Sequence, residues 1–394
     1  MEQKLSTRAR SLEMSGIRKM FDAPAPPGSI NLGLGEPDFN PPRVVQEALF
    51  EAVRTGGTHN KYGPSAGIPA LRDALAERYR RYDPRTSRDN VIVTCGGTEA
   101  LLSAALALYD PGNEVLIPNP GFVLYGPHAR MADAVPVPYS LREENGFQPD
   151  LDELEEIVTD RTRAIVVNSP SNPTGGVFTP RSIDGIVSFA QEHDLTILSD
   201  EVYDEIVYTP GGHRSFWGRY DRVVVVNSFS KILAMTGWRL GYLVASAEVA
   251  VEANKIHYHM VACPSTPCQV AALRGLTDAR DEIAAMAKEF RARRDLIVRG
   301  LNSVPGMHCV KPEGAFYAFP SYTWGMPSLE AAQTLLQRGL RCTHGEAFGS
   351  LGESHLRFSF ANSRENIRKA MTILRTFGEE ESNGRRPERV AGTA

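Results

Sequence analysis

This sequence of 394 residues is short of cysteine, of net charge and of long apolar runs. Each shortage removes a class of protein. The five cysteines, Cys95, Cys263, Cys268, Cys309 and Cys342, are odd in number and scattered. They form no Cys-x-x-Cys pair and no zinc-ligand spacing, so no disulfide framework and no metal centre is expected. A reduced, cytoplasmic setting fits them best. The formal net charge is −4, and no basic stripe stands out, so nothing in the charge pattern attracts nucleic acid. No apolar run reaches the roughly 18 residues that a membrane-spanning helix needs, and no membrane partner is expected. The opening Met1-Glu2-Gln3-Lys4-Leu5-Ser6-Thr7-Arg8 is polar and lacks an apolar signal core. Internal repeats are missing, as are Walker A and Rossmann fingerprints; Gly33-Leu34-Gly35 is only a lone Gly-x-Gly.

What remains is ordinary globular material, with 42% hydrophobic and 23% charged residues. Apolar runs that read as strands fall at Val91–Val93, Glu114–Ile117, Val135–Val137, Ala164–Asn168, Leu195–Ser199, Val223–Asn227 and Gly241–Ala245. Pro136 and Pro138 cannot donate ladder hydrogen bonds, which suits the third run to a sheet edge. Helical patterns at 99–108, 151–158 and 183–193 alternate with these runs. The expected fold class is therefore α/β: a large unit with a mostly parallel seven-stranded sheet flanked by helices, plus a smaller α/β unit. The expected division is an N-terminal segment over 1–45 packing with the small unit, a large unit over 46–275, a small unit over 276–378 and a disordered tail over 379–394. In the small unit, Asp281–Leu301 reads as a charged helix with Arg291, Arg293 and Arg294 on a solvated face. Short strands at Gly314–Phe319 and His355–Phe360 and a closing helix at Arg364–Phe377 follow it.

Ligands in such sheets sit beyond the carboxyl ends of the strands. Gly97-Thr98, Asn172, Asp200 and Lys231 all follow or end strand-like runs. Lys231 is the most informative of them. It lies in Ser228-Phe229-Ser230-Lys231, with Arg239 eight residues on. A lysine ending a buried strand is costly as a purely structural charge. Between two serines and near an arginine, it reads as an amine held beside a phosphate. Such amines form Schiff bases with carbonyl compounds, pyridoxal phosphate among them. Taken alone, the tetrapeptide is more often a turn.

Several motifs in fixed order carry a wider resemblance, over about residues 15–378. The chain resembles the class I/II pyridoxal-phosphate-dependent aminotransferases of the aspartate aminotransferase superfamily, with the fold type I architecture. By that resemblance Lys231 holds pyridoxal 5′-phosphate as a Schiff base. Asp200, in Ser199-Asp200-Glu201-Val202-Tyr203, pairs with its pyridine nitrogen. Tyr203 and Asn172, the latter in Ser171-Asn172-Pro173-Thr174-Gly175, hydrogen-bond its 3-oxygen. Gly97-Thr98-Glu99, Ser228, Ser230 and Arg239 cradle its phosphate. Tyr62 reaches the phosphate from a neighbouring subunit, which implies a homodimer. Phe122 stacks on the ring. Arg357 and the Gly35 loop, together with Asn172, hold the α-carboxylate of the substrate.

The activity implied is ping-pong transfer of an amino group from an L-amino acid, of aspartate or aromatic type, to a 2-oxo acid such as 2-oxoglutarate. A lyase or a specialised biosynthetic enzyme on the same fold is the alternative, because the cofactor supplies the chemistry and the pocket directs it. A regulator with an appended DNA-binding module is disfavoured, since the chain before Ser15 is too short for a helix-turn-helix. Arg18 reads as a surface residue rather than a partner for a distal carboxylate. One segment departs from the resemblance: in Thr343-His344-Gly345-Glu346-Ala347-Phe348-Gly349, His344 replaces a proline and Glu346 brings a charge toward the substrate end. A loop substitution without consequence is the preferred reading there.

Overall fold

The computed structural model describes residues 5–12, 14 and 16–383. A short strand, β1 (Ile30–Asn31), comes first. The main sheet follows with β2 (Val91–Thr94), β3 (Glu114–Asn119), β4 (Val135–Ser140), β5 (Thr162–Asn168), β6 (Thr196–Asp200), β7 (Val223–Ser228) and β8 (Gly241–Val244). These strands are the seven apolar runs of the sequence. Their spatial order is β2-β8-β7-β6-β5-β3-β4. The pairings from β4 through β7 are parallel, and β8 runs antiparallel to both β7 and β2. All six residues of β7 are buried. Its valines are stiff and branched, and suit a strand covered on both faces. The proline-bearing β4 lies at the edge, where missing donors cost nothing. Two antiparallel steps bring β2 back into the direction of β5, β6 and β7. The carboxyl ends of those four strands therefore share one edge, and the cleft opens there.

The crossovers are helices with legible starts. Asp150 accepts from the amides of Asp152 and Glu153 to cap the Leu151–Ile157 helix. Thr179 caps Pro180–Glu192, with proline at its first turn. A second core gathers Phe290, Phe316, Phe358, Phe360 and Phe377. Around it lie β9 (Met307–His308), β10 (Tyr317–Ala318), β11 (Ser321–Tyr322), β12 (Leu340–Arg341), β13 (Thr343–His344) and β14 (Leu356–Ser359). β14 sits between β10 and β13, antiparallel to both. Of the strand expected over 314–319, Tyr317–Ala318 forms the ladder and Gly314 only an isolated bridge to Val207. β1 pairs in parallel with β12, and Ser359 donates to the Leu32 carbonyl, so residues 30–32 are stitched to this second core. The core also takes in Tyr203, Ile206 and Tyr208, which follow β6.

Two expectations are corrected. Arg293 and Arg294 are buried rather than solvated. Arg293 pairs with Asp38 at 2.6 Å and Glu289 at 2.9 Å and lies over the Phe39 ring. Arg294 pairs with Asp295 and covers Tyr208. Glu289 and Asp295 lie on the same helix, but what covers the two guanidinium groups, Asp38 and Phe39 over Arg293 and Tyr208 over Arg294, is distant in sequence, which a charge pattern along one helix cannot show. Arg291 stays exposed. The closing helix runs Arg364–Ser382, so residues 379–382 are helical rather than tail. Its last turn is held by the ion pair of Glu380 with Arg338. The remaining tail residues, 384–394, lie outside the described residues.

Candidate active site

The turn after β7 sets the position of Lys231. Ser228 ends the strand and accepts from the Ser230 amide at 3.1 Å, capping the one-turn helix Phe229–Ile232. Lys231 faces the cleft from that turn, and its Nζ donates to the Gly35 carbonyl at 2.7 Å. Burial pulls its pKa down to about 8. Glu36 opposes that pull, while Arg239 and Arg357 add to it. A desolvated amine among cations is a nucleophile close to its neutral form at ordinary pH.

Asp200 ends the neighbouring strand β6 and is buried. Burial raises its carboxyl to about 6, and the Tyr125 hydroxyl, donating to Oδ2 at 2.7 Å, restrains that rise. One strand further, Asn168 Oδ1 accepts from the Asn172 amide at 2.8 Å and orients that turn. Tyr203 and Tyr317 share a hydroxyl–hydroxyl bond of 2.8 Å with their rings edge to face.

The part of the cleft around Gly96, Gly97 and Arg239 is built for an anion. The helix Gly97–Leu108 starts there, offering unpaired backbone N–H groups. Gly96 has φ +90, and a Cβ on it would lie 2.5 Å from Arg239 Nη2. A Cβ on Gly241 would lie 2.5 Å from the Gly97 nitrogen. Glycine is thus required for the guanidinium and the strand to approach this turn. Arg239 itself has left-handed backbone, with φ 53, and Nη1 donates to the Thr236 carbonyl at 3.0 Å. Thr98 and Ser230 line the same cleft. Glu99 does not. Its carboxylate turns back to accept from the Cys95 amide, Ser103 and His257. The expected place of Glu99 in the phosphate cradle rests on its backbone N–H at the helix start, and a carboxylate turned away spares an anion there a like charge.

Arg357 lines the same cleft from β14 and is 1% exposed. Nη1 donates to Asn172 Oδ1 at 2.9 Å and Nη2 to the Gly33 carbonyl at 2.6 Å. The guanidinium is flanked by the rings of Tyr317 and Phe348, at 4.6 and 4.8 Å. Its Nε is buried with no hydrogen-bond partner among the described residues. Burial lowers its pKa, a cost that an arriving carboxylate would relieve.

Twelve of the fourteen residues singled out from the sequence line one cleft of about 210 Å³. Besides those above, Gly35 and Phe122 are among them; the Phe122 ring meets Tyr125 edge to face at 5.7 Å. Glu99 is turned away, and Tyr62 lies outside this cleft, 92% exposed. Glu346 is exposed and lines no part of it, a correction to its expected approach to the substrate end. Arg18 is paired with Asp22 on the surface. Sequence reasoning missed Ile17, Asn168 and Tyr317, which line the cleft, and Tyr125 behind Asp200. Asn168 ended a recognised strand and Tyr125 stood three residues past Phe122, so both had a positional signal. Tyr317 had none, and Ile17 stood in the stretch Ser15-Gly16-Ile17-Arg18-Lys19, which resembles that of family members acting on aspartate or aromatic amino acids, without a role of its own.

Residues 27–374 match the family described as aminotransferase class I and II. This chain belongs to that family. A probable aspartate aminotransferase of Methanocaldococcus jannaschii is 40% identical over 382 residues, 95% of this chain and 100% of that one. Aromatic-amino-acid aminotransferase 2 of Thermococcus litoralis is 40% identical, over 93% of this chain and 96% of that one. The solved aspartate aminotransferase of Thermus thermophilus with maleate has a TM-score of 0.90 at 34% identity, covering 95% of this chain and 100% of that one. The aminotransferase described here is thus a transaminase, a fold type I enzyme whose cofactor is pyridoxal 5′-phosphate. Its cleft fits that group. A glycine-walled turn with an adjacent guanidinium suits a phosphate, a buried carboxyl suits a ring nitrogen, and an amine of lowered pKa lies between them. No helix among the described residues is long and apolar enough to cross a membrane.

Proposed function

We propose that this aminotransferase takes the amino group of an aspartate-type or aromatic L-amino acid, passes it to a 2-oxo acid with 2-oxoglutarate the first to try, and works as a homodimer in the cytoplasm. The observation that supports it most is one cleft holding the Lys231 amine, the Asp200 carboxyl and the Arg357 guanidinium. Pyridoxal phosphate, when bound, supplies the electron sink that acidifies the substrate's Cα–H. Lys231 holds the cofactor, and Asp200 keeps a positive ring nitrogen beside it. Tyr203 and Asn172 hydrogen-bond its ring oxygen, and Phe122 covers the ring. Gly97, Thr98, Ser228, Ser230, Arg239 and the Glu99 backbone hold the phosphate. Arg357, with Asn172 and the Gly35 loop, orients the substrate carboxylate. Lys231 Nζ would take the proton from Cα as base and give it up as acid at a different carbon, the net shift that amino transfer needs.

Exposed apolar side chains support the dimer. Phe50, Val53, Tyr62, Tyr258 and Val261 are all solvent-facing in one chain. Tyr62 is the residue that would reach the other subunit's phosphate. We place the large unit over residues 46–275 and the small one over 276–378, with 1–45 joining the latter through β1. The test is a half-reaction with single amino acids, following the cofactor's visible band and the matching 2-oxo acid. Stoichiometric 2-oxo acid from aspartate or an aromatic donor supports the reading. Products of elimination or decarboxylation, formed without an acceptor, would replace it with a lyase.

A further inference from the structure

Ile17 lines the same cleft as Lys231 and Arg357, and no role above accounts for it. It sits on the short helix Gly16–Asp22. That helix is fastened at both ends to one place. At its start, Gly16 packs so tightly on His344 that a Cβ would lie 2.8 Å from the ring Cε1 and 2.9 Å from Nε2. The same Cβ would lie 2.6 Å from Ala347 Cβ. At its end, Arg341 donates to the carbonyls of Met20, Phe21 and Ala23. Arg341 closes β12 and His344 closes β13. β13 pairs with β14, with Thr343 opposite Arg357 and His344 opposite Leu356. Ile17 and Arg357 are therefore carried on one body. Whatever places the substrate carboxylate also places this apolar side chain, and the His344 ring is the spacer between them.

We propose that His344 is a positioning residue for substrate selection: through Gly16 it seats Ile17 against the side chain of the amino acid held on Arg357. This rests on the aminotransferase reading of the cleft. Ile17 is half-buried, so it offers apolar surface to the space beside the substrate. A donor with a large apolar side chain gains contact there that alanine cannot make. His344 is buried, and its ring fixes how far the helix stands from β13. This assigns a consequence to the position where the sequence departs from its resemblance.

The experiment measures kcat/KM for phenylalanine and for alanine with the holoenzyme, and takes their ratio. Ile17→Ala is expected to lower that ratio about tenfold. His344→Ala is expected to lower it about threefold or more, through KM for phenylalanine rather than kcat, because binding contacts common to ground and transition states are what is lost. In the Ile17→Ala background, His344→Ala lowers it no further, since the spacer then has nothing to seat. His344→Gln, which keeps a spacer of similar bulk, restores the ratio. Gly16→Ala tests the joint from its other side, by forcing the helix off His344, and also lowers the ratio. An unchanged ratio in His344→Ala and Gly16→Ala, or losses that add in the double variant, overturns the proposal. A wild-type protein that converts no amino acid removes the proposed function itself, and this inference with it.

Discussion

Tyr125 donates its hydroxyl to Asp200 Oδ2 at 2.7 Å, joining two buried groups 75 residues apart in the chain. The bond stabilises the carboxylate form that burial disfavours. Tyr125→Phe is expected to raise the Asp200 pKa further and to weaken cofactor binding about tenfold, in line with the net worth of a hydrogen bond to a charged group. Absorbance titration of the cofactor-free protein measures it. Equal affinity in the variant contradicts the role given to this pair.

The pH dependence of cofactor capture has a definite sign. The raised pKa of Asp200 means that its carboxylate is present above about 6 and lost below. The lowered pKa of Lys231 means that its neutral, nucleophilic form grows as pH rises through about 8. Both changes favour higher pH. Capture of pyridoxal phosphate by the cofactor-free protein should be slow near pH 5 and accelerate through 6 to 8. A stopped-flow profile that is flat or falling across this range would count against both assignments.

Lys231→Ala should leave a folded protein that turns nothing over. The side chain's hydrogen-bond contact is one bond to the Gly35 carbonyl, so its removal costs little stability. Circular dichroism and the visible cofactor band would separate loss of folding from loss of chemistry. Full activity in this variant would sink the mechanism.

Arg357→Lys keeps a positive charge but loses the planar fork that serves two oxygens at once. The expected result is a fall of about a hundredfold in kcat/KM for every amino donor, with cofactor affinity little changed, because Arg357 contacts Asn172, Gly33, Tyr317 and Phe348 whereas Arg239 serves the turn at Gly96. A variant with normal kcat/KM shows that another group holds the carboxylate.

Gly96→Ala forces a side chain into a left-handed turn and against Arg239 Nη2. Cofactor affinity should drop at least tenfold, and free inorganic phosphate should protect the apoprotein from heat less than it protects the wild type. An unaltered affinity shows that Arg239 does not need this close approach.

Most of this site was legible in the chain because the chemistry sits at the ends of strands. Val223–Val226 is unmistakably buried, and whatever follows it on a parallel sheet must face the cleft. Prolines at 136 and 138 located an edge for the same local reason. Glu99 shows the limit. Its position at a helix start suits a backbone N–H to an anion, but its carboxylate turns to the nearby Cys95 amide and Ser103 and to His257, which is brought to it from 158 residues away.

By itself, then, the sequence determined the seven strands, the α/β class, the lysine, and the carboxyl and guanidinium groups around it. Spacing, propensity and burial are local properties of a chain. Tertiary structure alone decided that Arg293 and Arg294 are buried, that Tyr125 rather than solvent serves Asp200, and that the helix bearing Ile17 packs on His344, whose strand pairs with that of Arg357. Those relations depend on which distant segments meet, and a contact between distant segments leaves no periodic mark on either one.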